Sequence, residues 1–481
     1  MAETEKYLNP REKARLEEEK KNRKTRNQYL LIGAVILLMI LLVVFVNSSL
    51  FYDGLPALKV GDAKYTVADV NYEAQKGYMQ FTQSYGSYLS MFLDTSKSLK
   101  DQDCMLDPDG GSWADYFKKM AETNLVQQTA ALAAAKAAGY ELTEEDQAQI
   151  DNVISTYAMY GAYYGYSDAD GYLAATYGAG NNEKTVRRHM ADEILVDRYL
   201  NDLYDGFTFS DEEKDAYYDE HADSMDKINC LYSYITGDDA EIKASDIMDA
   251  VEQGNEDSFR AAVLDVTGSE ASQTSYSRTG FIGQYGESIA ADEIAPGKAF
   301  SHHTESGFYT VFILGVDDNH YNTVSVRHIL IKAVDADGDG AYSDEEKAAA
   351  LEKIQEIEKE WLAGVATEDS FAELAGLYSE DDGSKNNGGL YENIYKGQMV
   401  SEFNDFCFAG HSSGDTGIVY GESGSYAGYH LIYFVNADGE LYSRTMAEEE
   451  LRSQSYNEAV TALTGDLKPE RTFMWRYAMN S

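Results

Sequence analysis

The sequence predicts an α+β multidomain chain, and three observations carry that expectation. An uncharged apolar run lies near the N-terminus, from Tyr29 to Val46. A long stretch from about Val60 to Asp223 reads mostly as helix, with Ala-rich and amphipathic windows separated by capping residues. Two later segments, 228–318 and 324–437, alternate period-2 apolar runs with helix-period runs, the pattern of small α+β domains. At 481 residues the chain has room for several such units. The expected boundaries are 1–28, 29–47, 58–224, 228–318, 324–437 and 444–481.

The first two segments belong together. Residues 1–28 hold nine Lys/Arg against six Asp/Glu, a net of +3, so the remainder carries −47 of the total −44. Eighteen helical residues from Tyr29 reach roughly 27 Å, close to a hydrocarbon core. Lys20, Lys21, Arg23, Lys24 and Arg26 abut the start of the run, which keeps residues 1–28 cytoplasmic. The sequence Phe45 to Phe51 is a poor signal-peptidase site, and no lipid-acceptor cysteine ends the run. The expectation is an uncleaved transmembrane signal anchor, a single pass through the cell membrane, with the bulk of the chain extracytoplasmic. The large negative balance excludes nucleic acid as a partner, because phosphates demand a basic surface. Cys104, Cys230 and Cys407 are too few and too scattered for a disulfide framework or a zinc site, and nothing supports pairing Cys104 with Cys230.

In the helical region Thr66 caps a helix to about Leu93, and Trp113 to Ala138 forms an Ala-rich helix closed by Gly139. Thr143 with Asp146 caps a helix over Ala148 to Met159. Arg187 to Tyr204 is amphipathic, and Ser210 caps a further helix. The tyrosines between Tyr157 and Tyr166 serve either packing or an adaptable surface for unfolded chains, and both readings stay open.

The segment 324–437 carries the chemistry. His328 sits on an alternating run, Val326 to Ile331, and His430 on another, Gly428 to Tyr433. First and last strands of a small sheet can lie side by side, which brings the two imidazoles together as a hydrogen-bonding pair. Between them fall a helix-period stretch from Phe371 to Tyr378, Asp381, a Gly388-Gly389-Leu390 turn, and the run Gly397, Gln398, Met399 to Phe403. In that order these pieces resemble the parvulin family of peptidylprolyl isomerases. The resemblance implies His328, Asp381 and His430 as catalytic residues. It also implies a proline pocket from Leu390, Gln398, Met399, Phe403 and Phe408, and a reaction that needs no cofactor. Ala427 departs from members with a hydroxyl residue before the second histidine, and no basic cluster follows His328 to receive a phosphate.

Inside this segment Asp335, Asp337, Asp339, Ala341, Ser343 and Glu346 occupy positions 1, 3, 5, 7, 9 and 12 of a calcium-loop pattern, with Gly340 at the sharp turn. The expectation is a structural Ca2+; the alternative is a solvated acidic loop. Residues 228–316 repeat the parvulin-like plan in degenerate form. Ile228 to Ile235 parallels the His328 strand, Phe259 parallels Phe371, and Gly280-Phe281 parallels Gly389-Leu390. Gly307 to Ile313 parallels the closing strand, so that Tyr232 and Tyr309 replace the histidines.

As a whole the layout resembles membrane-anchored extracytoplasmic foldases of Gram-positive bacteria and two-parvulin periplasmic chaperones. It implies an anchor, a mostly helical chaperone-like region, two parvulin-like domains and a C-terminal helical tail. In such relatives the tail packs onto the helical region, a role for Met446 to Leu463. The implied function is a foldase that isomerises X–Pro bonds in unfolded or newly secreted polypeptides. The competing function is a non-catalytic holdase that uses parvulin folds as peptide platforms. Self-association into a homo-oligomer is left open.

Overall fold

The computed structural model describes residues 10–46, 48–251, 254–286, 294–338, 340–423, 426–465 and 467–479. Asp339, one of the expected calcium ligands, lies outside the described residues. The chain divides into two compact units: Met1–Phe207 with Gln454–Ser481, and Thr208–Ser453.

The first unit opens with α1 (Pro10–Val46), and Lys13–Val46 within it is long and apolar enough to cross a membrane. Leu30, Leu38 and Val44 on it are each more than half exposed, a costly state in water. After α2 (Ser49–Gly54) come the short strands β1 (Pro56–Val60) and β2 (Ala63–Thr66). Five helices follow: α3 (Val67–Tyr85), α4 (Trp113–Ala137), α5 (Glu144–Tyr163), α6 (Ala169–Tyr177) and α7 (Glu183–Asp205). Thr66, Ser112, Thr143 and Asn182 each accept the N3 amide while the N3 side chain returns to the cap, which satisfies two otherwise orphaned donors per helix. Trp113, Phe117 and Leu125 of α4 are fully buried against Leu58, Val60 and Val70.

Three details depart from the sequence expectation. The helix capped by Thr66 stops at Tyr85, because Gly86 turns left-handed (φ 44°) and a 3-10 segment takes over to Met91. The Thr143-capped helix instead runs longer, to Tyr163. The tail is not wholly helical: past Thr464 it forms a strand, Pro469–Arg471, which pairs antiparallel with β1.

The second unit begins with α8 (Asp211–Met225) and contains two four-stranded antiparallel sheets. The first sheet uses β3 (Lys227–Ile235), β4 (Ser272–Ser277), β5 (Ala299–Thr304) and β6 (Gly307–Asp317), in the order β4-β3-β6-β5. Helices α9 (Ala240–Ala250) and α10 (Glu256–Thr267) follow β3, and α11 (Arg278–Tyr285) follows β4. The second sheet uses β7 (Val324–Lys332), β8 (Leu390–Ile394), β9 (Thr416–Ser423) and β10 (Tyr426–Asn436), in the order β8-β7-β10-β9. Helices α12 (Asp344–Ala363) and α13 (Glu368–Tyr378) follow β7, and α14 (Ser401–Cys407) follows β8. Both sheets therefore place their first and last strands at the centre.

The register agrees as well. His328 pairs with Ile432 and His430 with Leu330; Tyr232 pairs with Val311 and Tyr309 with Tyr234. Tyr232 and Tyr309 thus hold the same lattice positions as the histidines. One expected correspondence is wrong. Gly280 and Phe281 lie inside α11, not in a turn before a strand; β4 is the counterpart of β8. Phe281 and Tyr285, both fully buried, repeat the spacing of Phe403 and Cys407 on α14.

The last helix, α15 (Tyr442–Thr464), is joined to α8 by ion pairs of Arg444 with Asp211 and Asp215 and of Lys214 with Glu448, and Lys214 also pairs with Glu440 just before the helix. Met446 packs on the cluster formed by Tyr218, Met225 and Ala447. The strand Pro469–Arg471, β11, is what closes the first unit. The three cysteines are free and buried.

Candidate active site

Side chains alternate along a strand, so His328, Leu330 and Lys332 of β7 share a face with Tyr426, Gly428 and His430 of β10. The two imidazoles meet on that face, Nδ1 to Nδ1, at 3.1 Å. Asp381, in the loop after α13, lies 2.9 Å from His328 Nε2 through Oδ2. The same carboxylate oxygen accepts from Ser384 Oγ at 2.5 Å and Tyr391 Oη at 3.0 Å. At the other end Tyr426 Oη is 3.0 Å from His430 Nε2.

These partners constrain the protons on the two rings. The ionised Asp381 carboxylate can only accept, so His328 Nε2 carries a proton. Of the two facing Nδ1 atoms one donates and the other accepts, and His430 Nε2 is satisfied by the Tyr426 hydroxyl. Every ring nitrogen is used. Burial, with the neighbouring His328 as second cause, pushes His430 down to about 3. The hydrogen bond from His328 holds Asp381 well below the usual carboxylate range, against the effect of burial. Burial and the adjacent Asp381 push Tyr391 up to about 12, which keeps its hydroxyl a donor.

Above the pair stands Phe403, its ring perpendicular to both imidazoles at 5.4 and 5.2 Å between centroids. Phe403 is 2 % exposed and packs on Val326, Ile394 and Ile432. Gln398, Met399, Val400 and Phe403 join the histidines, Asp381, Tyr391 and Tyr426 around a cleft of about 390 Å³. Of the expected pocket residues, Leu390 and Phe408 do not line this cleft. Tyr391 faces the site, so Leu390, its neighbour in β8, points away. Phe408 lies beyond the end of α14, against Tyr321.

The geometry adds three residues: Tyr426, Tyr391 and Ser384. Tyr426 supplies the outer hydrogen bond that Ala427 cannot, four residues before His430 and on the same strand face. That parity was the available signal. Nothing in the spacing of Tyr391 or Ser384 marks them. The backbone is fitted as closely. His328 N–H donates to the Gly389 carbonyl at 2.8 Å, and Gly389 has φ 73°. A Cβ there would stand 2.2 Å from the His328 carbonyl oxygen.

The acidic loop between β7 and α12 brings carboxylate oxygens of Asp335, Asp337 and Glu346 within 4.8 Å of one another. Asp335 accepts the amides of Gly338 at 2.7 Å and Gly340 at 3.0 Å. Ser343 is the N-cap of α12, and Glu346 is its N3 partner.

An antiparallel four-stranded sheet whose central strands carry a hydrogen-bonded histidine pair beneath an apolar pocket is the arrangement that the parvulin resemblance implies. The model of the PPIC-type PPIase domain family matches residues 312–437. Foldase protein PrsA 3 of Bacillus anthracis is 28 % identical over 192 residues, 39 % of this chain. The chain spans 56 % of the length of that relative. Among solved structures, PrsA from Bacillus subtilis is 15 % identical, covers 76 % of this chain and 91 % of its own, and has a TM-score of 0.27. PrsA from Streptococcus pneumoniae is 13 % identical over the same shares, with a TM-score of 0.26.

Proposed function

We propose that this chain is a membrane-anchored extracytoplasmic foldase that isomerises X–Pro bonds in unfolded or newly secreted polypeptides. The observation that supports it most is the continuous chain Tyr426–His430–His328–Asp381 lying under the Met399/Phe403 cleft. Amide rotation is slow because it breaks resonance, a barrier of about 18–20 kcal/mol. The twisted amide is less dipolar than the planar one. An apolar wall that grips the proline ring therefore favours it over the ground state. The residues fit that role without a nucleophile: three donors occupy one oxygen of Asp381, and His430 is held neutral. The locked pair serves as a rigid floor that fixes the cleft's shape. The N-terminal apolar helix supports anchoring, and the relatives named foldases support the extracytoplasmic setting.

In the same reading residues 228–318 are a second parvulin-like domain without the catalytic pair, given the shared strand order and register. Tyr163 and Tyr164, 81 % and 64 % exposed, favour a client-binding role for the helical region, the holdase component of the function. The acidic loop takes a structural calcium ion through Asp335, Asp337 and Glu346.

A proline-limited peptide assay on the full-length chain tests the isomerase reading. His328→Ala and His430→Ala each lower kcat/KM at least about tenfold, or ~1.4 kcal/mol, with far-UV circular dichroism unchanged. Wild-type turnover in both variants sinks the assignment.

A further inference from the structure

Lys332, the last residue of β7, belongs to two clefts. It lines the histidine cleft and also a second one of about 360 Å³. The second cleft reaches the opposite sheet face, since Ile331 lines it while Leu330 lines the first. The next loop makes the same hand-over: Asp381 faces the first cleft and its neighbour Glu380 the second. The two clefts therefore border one another at Lys332 and at the Glu380–Asp381 step.

The floor of the second cleft is apolar, formed by Ile331, Val334, Ala349 and Ala350. Val334 stands 70 % exposed there, an apolar side chain open to water. The walls are held in advance. Glu346 accepts the Ala336 amide at 2.6 Å and the Ser343 hydroxyl at 2.9 Å, and Lys353 pairs with Glu380 at 2.8 Å. Preformed walls remove an ordering cost from whatever binds. The Lys332 ammonium, on the ridge between the clefts, makes no ion pair among the described residues.

We infer that the second cleft is a subsite for the same polypeptide whose proline occupies the histidine cleft, and that it takes an apolar side chain a few residues from that proline. An extended chain turns alternate side chains to opposite sides at roughly 3.3 Å per residue, so one segment can fill both clefts while its backbone crosses the exposed Lys332. The shared border with the proline cleft at Lys332 is what favours a polypeptide over a free small molecule. The inference rests on the isomerase reading.

The test uses full-length protein and fluorescent dodecapeptides with a central Ala-Pro. Either leucine or alanine stands two to four residues from the proline, on each flank in turn, and affinity is read by anisotropy. One leucine peptide should bind about five- to tenfold tighter than its alanine counterpart, from partial burial of that side chain. Val334→Asp and Ala349→Gln, both at exposed positions, should reduce the difference below about twofold. Equal affinities in the wild type, or a preference that survives both substitutions, overturn the subsite. Turnover of a short Ala-Pro tetrapeptide is measured on the same samples. Absent wild-type turnover with a retained leucine preference overturns the isomerase reading and leaves the cleft standing.

Discussion

His430 is buried and neutral, and that has a measurable cost in acid. Its ordinary value is 6.5 and the fold holds it near 3. Between those values the unfolded chain binds a proton that the folded chain refuses. Stability from this group is therefore complete above about pH 6.5 and falls as pH drops, by up to about 1.4 kcal/mol per pH unit. Asp381 is lowered from 3.8, so its stabilisation is present above that value and is lost only below it. Of these two groups, the histidine governs the window from pH 6 to 4. A His430→Gln variant should lose melting temperature less steeply across that window than the wild type, measured by thermal scans at half-unit steps. Parallel slopes would mean that His430 already carries a proton in the fold. The histidines were legible in the sequence because each sits on a short alternating run. Their partners were not. Tyr426 and Tyr391 are two of 38 tyrosines, and only their strand parity, visible once the register is known, separates them from the rest.

At the scale of elements, β7 is positioned by what lies beside it. Gly389→Ala should be worse than Gly410→Ala. Both positions have positive φ, at 73° and 82°, and share a left-handed penalty of about 1–2 kcal/mol. Only at Gly389 does the new Cβ meet the His328 carbonyl; nothing stands within 4 Å at Gly410. The first variant should therefore lose isomerase activity along with stability, and the second only a little stability, as read by melting temperature and peptide turnover. The loop that leaves β7 makes a separate prediction. Calcium should raise the melting temperature more than magnesium, which prefers a tighter octahedral shell, and Glu346→Gln should abolish the shift. Equal melting in calcium and chelator leaves only a solvated acidic loop. Capping residues made helix starts readable: Thr66, Thr143 and Ser210 are all N-caps. Gly280-Phe281 misled because a glycine-aromatic pair marks a turn as readily as a short helix. There the capping Ser277, which accepts from Gly280 N–H, decides for helix.

For the molecule as a whole, the apolar helix and the acidic remainder make opposite demands on solvent. Deleting residues 1–47 should move the protein from the membrane fraction of its host to the soluble one, followed by sedimentation and immunoblotting. Recovery of the truncated chain with membranes would place the attachment elsewhere. The two α+β segments were legible because each opens and closes on a period-2 run with helix-period stretches between them. The sheet of β1, β2 and β11 was not. Its strands have three to five residues, too short for periodicity, and nothing local announces a partner so far along the chain.

That distant partner has a consequence in time. Thr472 Oγ1 donates to the Pro56 carbonyl across 416 positions, and Met479 N–H to Asn71 across 408. Everything in the second unit, Thr208–Ser453, is synthesised between the two halves of that seam. At about 5–20 residues per second, β1 waits roughly 20–80 s for β11. The inserted unit can finish folding during the wait, while its host stays open at one edge. The first unit thus passes that interval as an incompletely folded chain.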